Sequence, residues 1–136
     1  MIARVAILLE VFLGLGALFG GGALILGPDG HLLGIPTTLL AGSPFASFLV
    51  PGIILFALVG IGPLLAAAIT VRRQAYAPLA AVAVGLTLIG WISVEMVVLA
   101  GPGSLAWAFY LVLGVCIAAI GVAWWRSSTR ADGITY

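Results

Sequence analysis

Arg72-Arg73-Gln74-Ala75-Tyr76 is a short polar hinge that separates two long apolar runs before it from two after it. In hydrocarbon a backbone amide has no water to bond, so an apolar run of about 20 residues can cross only as a helix that satisfies its own amides. The pattern therefore predicts an all-α fold, an up-down four-helix transmembrane bundle with a long first extracytoplasmic loop. The expected spans are residues 2–26, 51–71, 78–99 and 105–125. Residues 1–126 read as a single membrane domain, and 127–136 as a short, disordered cytoplasmic tail.

Composition agrees with that reading. Hydrophobic residues make up 64% of the 136-residue chain and charged residues 7%, against roughly half and about a quarter in soluble domains. A net charge of +1 offers no broad basic surface, so nucleic acid is not an expected partner. All five cations are arginine, a usage that suggests GC-rich bacterial coding and hence a bacterial cell (inner) membrane. Cys116 is the single cysteine, so no intrachain disulfide can form.

The first run has a basic start, like a secretory signal, but it is too long for one and Glu10 interrupts it. Gly14, Ala17 and Gly21 follow Glu10 on one helical face, which lets a neighbouring helix approach closely and turns Glu10 toward protein. The connection from Gly27 to Pro44 is broken by Pro28, Gly30, Gly34 and Pro36, yet carries Leu32, Leu33, Ile35, Leu39 and Leu40. Such a loop either lies on the bilayer surface or folds back onto the bundle. Ser43-Pro44 reads as a helix start, with Phe45 and Phe48 at headgroup depth. In the second span Gly52, Phe56 and Gly60 form a groove, and Pro63 predicts a kink. Thr87, Trp91 and Glu95 follow one another at intervals of four in the third span. Gly101-Pro102-Gly103 is a turn, Ser104 a cap, and Tyr110, Gly114, Ala118, Gly121 and Trp125 mark a packing face of the fourth span. Trp107, Trp124 and Trp125 are placed as aromatic-belt residues.

Arg4, Arg72, Arg73, Arg126 and Arg130 all fall on one side of an even-numbered set of spans. The positive-inside rule then gives cytoplasmic N- and C-termini and an external Asp29–His31 loop.

Chemistry has to come from few groups. A carboxylate in hydrocarbon is costly, which makes Glu10 and Glu95 candidates for binding a proton or a cation. The bland alternatives are that Glu10 snorkels to the interface or pairs with an arginine, and that Glu95 is a boundary residue touching water. Asp29, His31, Glu95, Trp91 and Tyr110 share the outer side, with Trp107, and would line one pocket if the loop folded over the bundle mouth. One histidine and two carboxylates without diagnostic spacing do not read as a metal site. Pro28-Asp29-Gly30 alone reads as a turn in which Asp29 bonds the backbone.

Ala6-Ile7-Leu8-Leu9-Glu10-Val11 resembles the opening helix of small multidrug resistance transporters, and the resemblance implies a proton- and substrate-binding role for Glu10. The long first loop and the arginine bias depart from that family. The architecture also resembles small four-helix bacterial integral membrane proteins of unassigned activity, DoxX-like ones among them. Vitamin K epoxide reductase-like proteins share such a bundle but need cysteine pairs that this chain lacks.

The sequence thus favours a non-catalytic accessory or binding subunit of a membrane complex, not an enzyme and without a cofactor. Its partners would be the lipid bilayer and a membrane protein or further copies of the chain. The alternative is a small proton-coupled transporter or lipophilic-molecule binder using an intramembrane glutamate.

Overall fold

The computed structural model describes residues 2–99 and 105–133, and within them it is helical with no strand. Four helices are long and apolar enough to cross a membrane. They are α1 (Ile2–Leu26), α2 (Leu49–Val71), α3 (Ala77–Val98) and α4 (Leu105–Gly133). The expected Gly101-Pro102-Gly103 turn, the Ser104 cap and the last three residues of the tail lie outside the described residues.

Small residues decide how the helices pair. A Cβ added to Gly14 would meet the side chain of Leu64 at 2.7 Å and the Gly60 carbonyl oxygen at 2.9 Å, while one on Gly52 would meet Leu24 at 2.7 Å. Later residues of α1 thus meet earlier residues of α2, so these two helices run antiparallel. The faces anticipated from Gly14, Gly21, Gly52 and Gly60 are the ones used. Gly85 on α3 and Gly114 and Gly121 on α4 pair those helices in the same way: a Cβ on Gly121 would fall 2.7 Å from Val82. Close backbone approach of this kind is what small residues permit where burial against lipid supplies no drive.

The two antiparallel pairs meet along a seam filled by Leu13, Val59, Leu88, Ile92, Leu113 and Ile117. Arg4, the Arg72–Arg73 hinge and Arg126 come to one end of the bundle, and the Gly27–Phe48 connection lies at the other.

Around Pro63 the helix departs from regular α geometry. Leu55–Ile61 is a π-helical stretch inside α2, and the Gly62 N–H donates to Ala57 O, five residues back. Proline has no N–H to offer, and its ring would press on the carbonyl four residues before it. A widened turn just ahead relieves both problems.

Two expectations need correction. α4 does not stop at Trp125, because the segment read as a disordered tail is helical as far as Gly133. The Ser127 and Thr129 hydroxyls donate to the carbonyls of Trp124 (2.9 Å) and Arg126 (3.0 Å) and so bond the polar turns. Ser43 does not start a helix either. Its hydroxyl donates to Leu40 O at 2.7 Å and accepts the Phe45 N–H at 3.2 Å, which closes a turn. The helix begins at Leu49 instead, with Pro51 in its first turn, where a missing N–H costs nothing. Phe48 is buried and packs with Leu24 and Leu40. Of the two courses open to the loop, folding back onto the bundle is the one taken. The Phe48 N–H donates to Pro28 O at 2.8 Å and ties the loop's two ends together.

Candidate functional site

Glu95 stands in the last turn of α3, where its backbone carbonyl accepts the Leu99 N–H at 2.8 Å. Trp91 lies one turn earlier, and Trp107 and Tyr110 reach the same place from α4. All four line a cavity of about 200 Å³ in the seam, whose far walls are apolar residues such as Leu13, Val59 and Leu88. The indoles of Trp91 and Trp107 both stand beside the Glu95 carboxylate, and the buried Trp91 Nε1 makes no hydrogen bond of acceptable geometry. Trp107, near the start of α4, is half-buried and packs against the core.

The cavity opens sideways. Gly16 and Ala106 on its rim are exposed, and nothing lies within 4 Å of a Cβ built on Gly16. The opening thus lies between α1 and α4.

A second cavity of about 110 Å³ adjoins the first and shares Trp91 and Glu95 with it. Its roof is the folded-back loop, through Ile35, Leu40, Phe45 and Phe48. That the loop would fold over the bundle mouth was one course the sequence left open; that Ile35, Leu40, Phe45 and Phe48 would be the residues to wall a chamber was not visible in it.

Asp29 and His31 line neither cavity, so of the six residues expected around one outer pocket four come together there: Glu95, Trp91, Tyr110 and Trp107. The loop does cover the bundle, but with its apolar side inward, which leaves its polar tip in water. Asp29 Oδ1 accepts the backbone N–H of His31 at 3.1 Å and pairs with its ring Nδ1. This is the turn bond expected of Pro28-Asp29-Gly30. The same bonds hold the Asp29 carboxyl below the usual aspartate range. Gly30 and Gly34, both in the left-handed region (φ 83° and 69°), bracket the short helical turn His31–Leu33.

Glu10 is corrected as well. It neither snorkels nor pairs with arginine: it has 0% exposure, and neither carboxylate oxygen has a hydrogen-bond partner. Small residues on α1 and α2 bring the helices together around it, and the buried side chains at that end are mainly alanines such as Ala6, Ala66, Ala67 and Ala81. The nearby-end polar group, Thr70, already donates its hydroxyl to Ala66 O at 2.9 Å. Glu10 lines neither Glu95 cavity, although Leu13 and Ala17 on its own helical face line the first. The two acids are separate sites.

Thr87, four residues before Trp91, lines a different groove, between α2 and α3. Four residues overshoot a full helical turn by about 40°, enough to carry it to another face. No group of three or more His, Cys, Asp or Glu side chains able to hold a metal occurs among the described residues.

No known protein family, curated protein or solved structure matches the chain. The site's chemistry therefore rests on its own residues: an apolar recess ending in one carboxylate, two indoles and a phenol.

Proposed function

We propose that this is a non-catalytic multi-pass membrane protein that binds a lipophilic molecule, with Glu95 as the group that recognises the ligand's polar end. The observation that carries the reading is the position of Glu95 at the polar end of an apolar, laterally open cavity. A largely apolar recess with a few convergent polar groups is the usual form of a small-molecule site. The ligand's apolar body would lie along the seam and its hydrogen-bond donor would meet the carboxylate.

An accessory-subunit role drew its support from small-residue faces free to dock a partner. Gly14, Gly21, Gly52, Gly60, Gly85, Gly114 and Gly121 are all taken up in contacts between the chain's own helices, so that support passes to the binding reading. In the cell the bundle would sit up-down in a bacterial inner membrane with the arginine end cytoplasmic and the Gly27–Phe48 loop outside, as the arginine distribution favours. A reporter fused to the C-terminus tests that orientation and should be active only in the cytoplasm.

The binding reading is tested by native mass spectrometry of protein extracted in mild detergent. Wild type should carry a bound lipophile, and Glu95→Gln should lose most of it. The exchange removes a charge-assisted hydrogen bond of about 1.5–3 kcal/mol, or roughly tenfold to a hundredfold in occupancy. Equal occupancy in both proteins would overturn it. A stoichiometric membrane protein in place of a lipophile would favour the accessory-subunit role.

A further inference from the structure

Trp91 and Glu95 belong to both cavities. One chamber runs from them down the seam toward Leu13, and the other runs under the loop toward Leu40 and Phe48. A molecule with its polar group at one end would fill one chamber and leave the other open. The junction also makes two opposite demands. The Glu95 carboxyl offers acceptor oxygens, an indole N–H only donates, and the buried Trp91 Nε1 makes no hydrogen bond of acceptable geometry. A hydroxyl answers both with one oxygen. An ammonium group would leave the indole unmatched, and a phosphate or carboxylate, with no proton to give, would leave the Glu95 acceptor unmatched.

We propose that the site takes a lipophilic alcohol whose hydroxyl lies part-way along the molecule, between one apolar arm in the seam and a second under the loop. This rests on the ligand-binding role of Glu95 and specifies the shape and head group of the ligand. Gly16 and Val94 give separate access to the two chambers. Gly16 lines the first with no atom within 4 Å of an added Cβ, and Val94, 50% exposed, lines the second.

The test uses the full chain in lipid nanodiscs. It compares a radiolabelled secondary alcohol, hydroxyl at the middle carbon, with the primary alcohol and primary amine of the same chain length. The mid-chain alcohol should bind about tenfold or more tighter than the primary alcohol, the effect of burying roughly two further methylenes. Gly16→Leu and Val94→Phe should each weaken the mid-chain alcohol by a similar factor, and Trp91→Phe should weaken both alcohols but not the amine. Equal affinity for the two alcohols, or a Val94→Phe protein that binds the mid-chain alcohol as wild type does, overturns the two-armed ligand. Binding of the primary alcohol that Glu95→Gln abolishes and Val94→Phe leaves alone would sink this inference and keep the binding role. Failure of every probe to bind would sink both. Each variant is first checked for wild-type helical content and a single oligomeric species.

Discussion

Gly21 of α1 lies so close to Gly52 of α2 that a Cβ on Gly21 would come within 2.9 Å of the Gly52 carbonyl oxygen and 2.7 Å of the Phe56 backbone nitrogen. Backbone atoms cannot swing aside as a side-chain tip can. Gly21→Ala should therefore force the helices apart and lower stability by about 1–3 kcal/mol. Gly16→Ala, on the same helix but with open space around it, should raise stability by about 0.5–1 kcal/mol through the helix preference of alanine. Thermal melting in one detergent decides it, and two variants moving in the same direction would contradict the packing described.

Arg73 closes α2 with φ 55°, the left-handed conformation that glycine adopts most easily. The Gln74 N–H bonds Ile69 O at 3.2 Å and the Arg73 N–H bonds Thr70 O at 3.0 Å, the paired bonds of a Schellman helix end. Arg73→Gly should keep both bonds, remove a strain of about 1–2 kcal/mol and raise the melting temperature. Arg72→Gly, at ordinary backbone angles, should not. If the two substitutions gave equal shifts, the strain at Arg73 would be refuted.

Glu10 carries two buried oxygens with no partner, which sets against stability the desolvation of a polar group without a compensating bond. Glu10→Leu should stabilise the purified protein by about 1–3 kcal/mol. If the acid is kept for function, the same change should cost activity in cells, the usual trade at functional positions. A Glu10→Leu protein that melts lower than wild type would show that the carboxyl has a partner after all.

The Asp29–His31 pair gives the loop a pH dependence. Its sign follows from a carboxyl held below the usual range by His31. Such a group contributes its stabilisation above the ordinary aspartate range and loses it as pH falls through the lowered value. Protease cleavage between Gly27 and Phe48 should thus be constant near neutral pH and rise only in acid. Asp29→Ala should show the acid level of cleavage at every pH, while Asp29→Asn, which keeps an acceptor, should lie between. Cleavage of wild type that rose with increasing pH would reverse the assignment.

Much of the fold was legible because lipid leaves so few choices. Glycines at intervals of three or four named the packing faces before any coordinate was known, since only small residues let helices approach closely. The site was legible in part. Trp91 and Glu95 sit one turn apart on a single helix, so local periodicity found them, and Tyr110 followed from its depth on the fourth. Asp29 and His31 were misplaced because the side of a loop that turns inward depends on what it covers. Leu24, Val98 and Leu99 make the apolar face of the loop the better fit.

The sequence by itself determined the number of helices long and apolar enough to cross a membrane, the small-residue faces of the first, second and fourth, and the end that gathers the arginines, because these follow from backbone hydrogen bonding in an apolar medium and from short-range periodicity. Only the tertiary structure decided that Glu10 is sealed in the core while Glu95 lies open to two chambers. Both are single carboxylates in greasy helices and look alike as letters. What separates them is the packing of the other helices: alanines and glycines close around Glu10, whereas Trp91, Trp107 and Tyr110 are too bulky to close around Glu95.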